Sequence, residues 1–346
     1  MKRIDNPPNP YVAEHRQWLE PPPPARVEVY EERSRSILAQ NESPDLPFRW
    51  SCNPYRGCQH GCTYCYARTS HEYLGLGAGT DFETKLVVKV NAPELLAKTL
   101  SGRGWSGEHV NFSGVTDCYQ PLEAVYRLTQ RCLAVCLEHR NPAVVVTKAF
   151  LVARDAELLA ELNRVAGAQV WVSIPIADPT ISRALEPQAP PPQRRFEAIA
   201  RLSAAGVPVG VMVAPVIPGL SDRDIPAILR QAREAGAARA TCIPLRLPGS
   251  VEQVFLSRLR RDLPLHANRV EQRLRDVRGG RLDEQRFGRR FRGQGVYWES
   301  VKRLFEVWRD RLGFESAGGG GAMEKPGHAC GARTDARQSR QLTLFD

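Results

Sequence analysis

The chain has 346 residues, of which 42% are hydrophobic, 25% charged and 8% aromatic, enough apolar material for a sizeable core and too much for a disordered polymer. Lys and Arg number 48 against 38 Asp and Glu, a formal charge of +10, which suits an acidic partner such as nucleic acid without requiring one. No apolar run reaches the roughly 18 to 20 residues of a membrane span, and residues 1–10 lack the apolar centre of a signal peptide, so a cytoplasmic protein with no membrane contact is expected.

Residues 1–45 are rich in Pro and charge, with a proline run at 21–24, and read as an extended N-terminal arm. From 46 to 250 short β-branched runs alternate with amphipathic stretches, the signature of repeated βα units. Strands are predicted at 48–52, 110–112, 144–147, 170–174, 209–213 and 241–244, with helices at 93–100, 128–139, 155–165, 193–205 and 224–235 and an inserted strand at 84–90. Six βα-type strands are too few for the usual eight-stranded barrel, so an α/β partial (β/α)6 barrel of the TIM type is expected, its site at the strand carboxyl ends. Residues 251–312 are helical in pattern and hold 16 Lys and Arg against 9 Asp and Glu, or +7 of the chain's +10. Glycines 318–321 then open a tail, 313–346, of linker composition.

The nine cysteines are an odd set, and Cys58, Cys62 and Cys65 fall within eight residues, unlike the spread pairs of a disulfide framework. Their C-x3-C-x2-C spacing, on a loop holding Gly57 and Gly61, supplies three thiolates for three irons of a 4Fe-4S cluster, leaving the fourth iron open to a small molecule. The alternative is a zinc site with Cys52 or His60 as fourth ligand, although no second C-x2-C pair is present.

The segment Asn53-Pro54-Tyr55-Arg56-Gly57-Cys58, the aromatic Tyr64 before the last thiol and the following Cys65-Tyr66-Ala67-Arg68 resemble the radical S-adenosylmethionine (SAM) superfamily. The likeness extends over residues 34–312 and is to its branch related to spore photoproduct lyase, the DNA repair photolyase-like proteins. It implies SAM chelated at the open iron, an electron from the reduced cluster breaking the S–C5′ bond, and a 5′-deoxyadenosyl radical taking a hydrogen atom from substrate. A flavodoxin- or ferredoxin-type reductant goes with that chemistry. Alignment of iron, sulfonium and substrate needs a dry pocket, which a barrel mouth provides.

The same resemblance assigns the rest of the pocket. Ser113-Gly114-Val115-Thr116-Asp117, after the second strand, matches the glycine-containing turn beside the methionyl amino group, where backbone, hydroxyl and carboxylate offer polar contacts; an ordinary helix N-cap is the other reading of Thr116. Lys148, a cation ending a buried strand, needs a partner and takes the SAM carboxylate or ribose, Ser173 resembles a ribose contact, and Ala214 begins a turn placed to pack on adenine. Tyr64 joins this cofactor-binding set. The hydrogen-donating Cys of spore photoproduct lyase falls at Gly114 here, so repair of that lesion is not expected, and Cys118, beside Asp117, is the candidate substitute in a catalytic pair. Cys132, Cys136 and Cys242 read as small core residues.

Arg286, Arg289, Arg290, Phe291 and Arg292 interleave cations with an aromatic, the ingredients for neutralising phosphates and stacking on unpaired bases, against the alternative of a solvated basic face. The last residues, Gln341, Leu342, Leu344 and Phe345, are similar to the Q-L-x-L-F peptide with which bacterial repair proteins bind the DNA polymerase III β sliding clamp. The expectation is a radical SAM enzyme acting on DNA in lesion repair or base modification. The alternatives are radical SAM modification of a protein, an RNA or a small molecule, and a non-catalytic zinc-containing adaptor of the clamp.

Overall fold

The structure is a computed structural model that describes residues 6–13 and 25–315. The strands are β1 (Glu28–Glu32), β2 (Leu38–Gln40), β3 (Trp50–Cys52), β4 (Tyr55–Arg56), β5 (Lys85–Lys89), β6 (Val110–Phe112), β7 (Ala143–Thr147), β8 (Ala168–Ser173), β9 (Val209–Val216) and β10 (Arg239–Pro244). β3, β6, β7, β8, β9 and β10 lie side by side in chain order and run parallel, with β2 added antiparallel at the β3 edge. The helices Ala92–Leu100, Leu128–Glu138, Ala156–Val165, Pro192–Ala204 and Ile225–Glu234 fall between these strands, so the α/β architecture is a partial barrel open on one side, as the β-branched runs predicted.

The central strands β6 and β8 are buried along their whole length because both of their faces are covered. Val145, Val170, Val172, Val211 and Val213 sit in one large core with Leu133, Leu159, Leu202 and Leu229 of the surrounding helices. Gly210 is fixed by packing: a Cβ there would stand 2.4 Å from the Trp171 ring of the neighbouring strand.

Two strands occupy the segment read as an extended arm. β1 pairs in parallel with the inserted strand β5, and β4 pairs with β5 on its other side, making a small separate sheet. β2 forms the edge of the barrel sheet. Residues 28–32 and 38–40 are extended because they are hydrogen-bonded into strands, which their low apolar periodicity concealed. The basic segment contains the helices Ser250–Asp262, Pro264–Val277 and Gly295–Arg311. The first two build a second core with Ile176, Ile217, Leu245 and Leu247, residues that follow β8, β9 and β10, and with Cys62 and Tyr64. This segment therefore closes over the carboxyl ends of the last strands, where the cysteine loop also lies. Among the described residues no helix is long and apolar enough to cross a membrane.

Candidate active site

The cysteine loop leaves β4 through Gly57 and turns again at Gly61, both with positive φ (74° and 64°). At Gly57 no side chain fits, because a Cβ would stand 2.8 Å from the His71 ring and 2.9 Å from the Phe82 carbonyl. The Cys58 amide donates to Phe82 O at 2.9 Å, and the Thr63 amide to Leu185 O at 2.9 Å. Beneath the loop Arg68 is wholly buried. Its Nε donates to Cys62 O (2.9 Å), Nη2 to Gly61 O (3.0 Å) and Glu83 Oε1 (2.5 Å), and Nη1 to the carbonyls of Ala78 and Gly79 (2.9 Å each). A guanidinium is suited to this task because its planar donors point in fixed directions.

Cys58 and Cys62 are buried and Cys65 is half-buried. Burial pushes the Cys62 thiol well above its usual range and that of Cys65 up to about 11, with the neighbouring cysteines adding to both effects. Burial therefore disfavours the thiolates of Cys62 and Cys65 unless a positive centre is bound beside them. Among the described residues no three His, Cys, Asp or Glu side chains form a group that could hold one metal ion. A polynuclear cluster makes a different demand, since each thiolate takes its own iron.

The turn after β6 is backbone-strained: Ser113 has φ 108° and Gly114 φ 133°. Ser113 Oγ donates to Val146 O at 2.6 Å. Thr116 and Asp117, expected to contact SAM, have their side chains committed within the protein. Thr116 Oγ1 donates to Gly57 O at 2.6 Å, while Gln120 Nε2 donates both to that carbonyl (3.0 Å) and to Thr116 Oγ1 (2.9 Å) and Gln120 Oε1 accepts from the Gln59 amide (3.0 Å). Asp117 accepts from Thr147 Oγ1 (2.6 Å) and from the amides of Lys148 (2.8 Å) and Tyr119 (2.9 Å), and lies 3.3 Å from His60 Nδ1. Burial opposes the charges of this pair, but each stabilises the other: Asp117 is held down to about 2 by His60 and these hydrogen bonds, and His60 rises to about 10 beside Cys58 and Asp117. The turn thus clamps the cysteine loop to β6 and β7.

Cys118, the candidate substitute hydrogen donor, is fully buried in the main core, where burial pushes its thiol well above the usual range. Cys132 and Cys136 are core residues, as expected, and Cys52 is buried among them; Cys242 is half-buried against the same core.

Lys148 and Ser173 do meet. Lys148 Nζ donates to Ser173 Oγ at 2.6 Å, Ser173 Oγ donates to Ala214 O at 2.9 Å, and Lys148 Nζ stands 5.8 Å from the Tyr64 ring centre. Four expected residues from the cysteine loop, β7, β8 and β9 are therefore contiguous. Their hub was not singled out in the sequence. Glu186, fully buried, accepts hydrogen bonds from Tyr64, from Ser182 (3.0 Å) and from Arg195 (2.5 Å), and lies 3.7 Å from Lys148 Nζ. Burial alone would raise its carboxyl, yet Arg195 and then Lys148 hold it at about 2. Glu186, Arg195 and Gln120 carried no motif, and Arg68 stood in a quoted motif without a role; only the pairing rule for buried charges pointed toward partners of this kind.

Of the basic cluster, Arg286 pairs with Glu284 (2.6 Å) and Arg290 with Asp45 (2.8 Å). Arg289 and Arg292 are exposed, and Phe291 is half-buried. Gln341, Leu342, Leu344 and Phe345 lie outside the described residues.

The family model of the radical SAM superfamily matches residues 52–232, just over half of the chain and spanning the cysteine loop, the β6 turn and the Lys148–Ser173 pair. The chain belongs to the radical SAM superfamily. This radical SAM chain is 39% identical over 231 residues to an uncharacterised protein of Mycobacterium tuberculosis (strain ATCC 25618 / H37Rv), covering 65% of this chain and 68% of that one. It is 29% identical over 173 residues to a radical SAM Nalpha-GlyT isomerase of Pseudomonas phage M6, covering 49% of this chain and 34% of that one. Among solved structures, spore photoproduct lyase complexed with dinucleoside spore photoproduct matches with a TM-score of 0.60 at 16% identity, over 82% of this chain and 79% of the other. A lyase variant with bound AdoMet and the same photoproduct matches with a TM-score of 0.55 at 18% identity over the same shares. Radical SAM enzymes use a 4Fe-4S cluster and SAM, and the donor set fits both groups. Cys58, Cys62 and Cys65 would hold the cluster. The cations Lys148, Arg68 and Arg195 against the carboxylates Glu83 and Glu186 leave positive charge for an anionic cluster and a ligand carboxylate.

Proposed function

We propose that the chain cleaves SAM reductively and acts on DNA, in lesion repair or base modification. The observation that carries this reading is the joining of the cysteine loop to the Lys148–Ser173 pair through Tyr64 and Glu186, at the carboxyl ends of adjacent parallel strands. Cys58, Cys62 and Cys65 would hold the cluster, which once reduced would supply the electron for cleaving SAM. The chain's own residues do the rest. Arg68, Thr116, Gln120 and the Asp117–His60 pair hold the loop, Lys148 offers its ammonium to a carboxylate, Ser173 offers a hydroxyl to a ribose, and the second core around Tyr64 excludes water.

The likeness in fold to spore photoproduct lyase and the placement of +7 of the net charge in residues 251–312 support a DNA substrate. A cytoplasmic location and a flavodoxin- or ferredoxin-type reductant accompany the reading, and the Gln341–Phe345 segment is proposed to dock on the β sliding clamp. Anaerobically reconstituted enzyme, reduced in the presence of SAM, is expected to release 5′-deoxyadenosine, and Cys62→Ala to release none. Sequencing of nucleic acid crosslinked to the enzyme tests the substrate. Recovery of none transfers the chemistry to a protein or a small molecule. Clamp pull-down should fail when residues 341–346 are deleted, and equal retention refutes that contact.

A further inference from the structure

Beside the cysteine loop stands a second constellation, built from the basic segment. Arg246 follows β10 at the carboxyl end of the barrel, and its guanidinium lies 4.8 Å from the Phe291 ring centre. Arg290 lies 5.0 Å from the same ring and 4.7 Å from that of Phe287. Arg246, Phe291, Arg290 and Phe287 therefore form an alternating ladder of guanidinium and ring. Arg246 is also near enough to Tyr66, the residue after Cys65, for their charges to interact. The inner end of the ladder is thus at the mouth of the site.

The loop is held on both sides. Asp45, in the β2–β3 connection, accepts from the Gly288 amide (2.7 Å) and from Arg290 Nε (2.8 Å). Arg278 donates to the carbonyls of Arg292 (2.9 Å) and Leu245 (2.6 Å), tying the loop to the end of β10. A loop pinned in this way loses little entropy on binding. Its outer surface is unusual for a pinned loop: Phe287 is 64% exposed, and Arg289 and Arg292 are exposed with no ion pair among the described residues. The Phe287 ring is packed 4.7 Å from the Arg290 guanidinium and remains exposed.

We infer that the 286–292 loop is the substrate-facing wall of the mouth and takes an unpaired stretch of DNA, with a base stacking on Phe287 and phosphates meeting Arg289 and Arg292. A ring left 64% exposed beside guanidiniums that make no ion pair among the described residues suits a single strand, whose bases offer open faces, and not a duplex, whose bases are already stacked. This inference rests on the DNA reading above.

The test uses the anaerobic holoenzyme and fluorescein-labelled DNA 12-mers, single-stranded and duplex, followed by anisotropy over a salt series. Phe287→Ala should bind the single strand about tenfold more weakly, the loss of one stacked base, whereas Phe287→Trp should bind as tightly as the parent. Arg289→Ala with Arg292→Ala should lower the slope of log affinity against log salt by about 1.4, the single-strand value for two phosphate contacts. Phe287, Arg289 and Arg292 are all exposed, and melting curves check that each variant is folded. Parent enzyme that binds single strand while these variants match it in affinity and slope overturns the loop's role and leaves the DNA reading standing. Parent enzyme preferring duplex overturns the single-strand assignment. Parent enzyme binding neither DNA overturns both.

Discussion

Lys148 Nζ and Ser173 Oγ are 2.6 Å apart, joining the carboxyl ends of two adjacent parallel strands. The contact continues the strand register, in which Thr147 is opposite Val172. A buried strand end would not tolerate a lone ammonium. Here Glu186 balances it from 3.7 Å while the hydroxyl holds it in place. Lys148→Met keeps the length of the side chain and removes the charge. SAM should bind this variant at least about tenfold more weakly, the ordinary cost of losing one charge-assisted hydrogen bond. Equilibrium dialysis on cluster-loaded protein measures it, and unchanged affinity would remove Lys148 from the SAM contacts.

Glu186 makes the stability of the apo chain sensitive to acid. Its carboxyl sits at about 2 in the fold against an ordinary 4.5, so between these values the unfolded chain binds the proton more readily. The stabilisation is complete above the ordinary value and is lost as pH falls toward about 2. Denaturant midpoints should therefore fall on going from pH 5 to pH 3, by less in Glu186→Gln than in the parent. The variant should also be less stable at pH 7 by about 3 to 5 kcal/mol, because Arg195 is left buried without its counter-charge. Parallel pH curves for the two proteins would contradict the assignment.

Arg68→Lys retains the positive charge and loses the fork that reaches Gly61, Cys62, Ala78 and Gly79. Iron and acid-labile sulfide per chain should drop severalfold after reconstitution, with a lower melting temperature. The same change at Arg164, an exposed residue paired with Glu161, should alter neither. Full cluster loading in Arg68→Lys would show that the loop holds its shape without the guanidinium.

Cys118→Ala separates a core residue from a hydrogen donor. From its burial, the substitution should cost about 1 kcal/mol of stability, the loss of one small buried group, while substrate turnover relative to 5′-deoxyadenosine release stays as in the parent. If SAM cleavage persists and product formation alone collapses, Cys118 is part of the chemistry after all.

How much of this was legible beforehand depended on the range over which each signal acts. The runs Val144-Val145-Val146 and Val170-Trp171-Val172 predicted their strands because a strand buried on both faces needs consecutive apolar residues. Cys58, Cys62 and Cys65 were legible because their spacing is local. The bonds that Thr116 and Asp117 make within the protein were not legible, since a hydroxyl and a carboxylate can bind a ligand or a neighbouring loop equally well. The strands β1 and β2 were missed because an exposed edge strand carries no apolar alternation.

The sequence by itself determined the alternation of strands and helices, the thiol triad and the concentration of positive charge after residue 250. Tertiary structure alone decided which charges are answered and by whom: Lys148 and Arg195 by Glu186 across the barrel ends, Arg68 by Glu83 under the loop, Arg290 by Asp45 at the rim. Strand formation follows from neighbours along the chain. The pairing of a buried charge depends on which distant residue the fold brings within a few ångströms, and no local pattern encodes that distance.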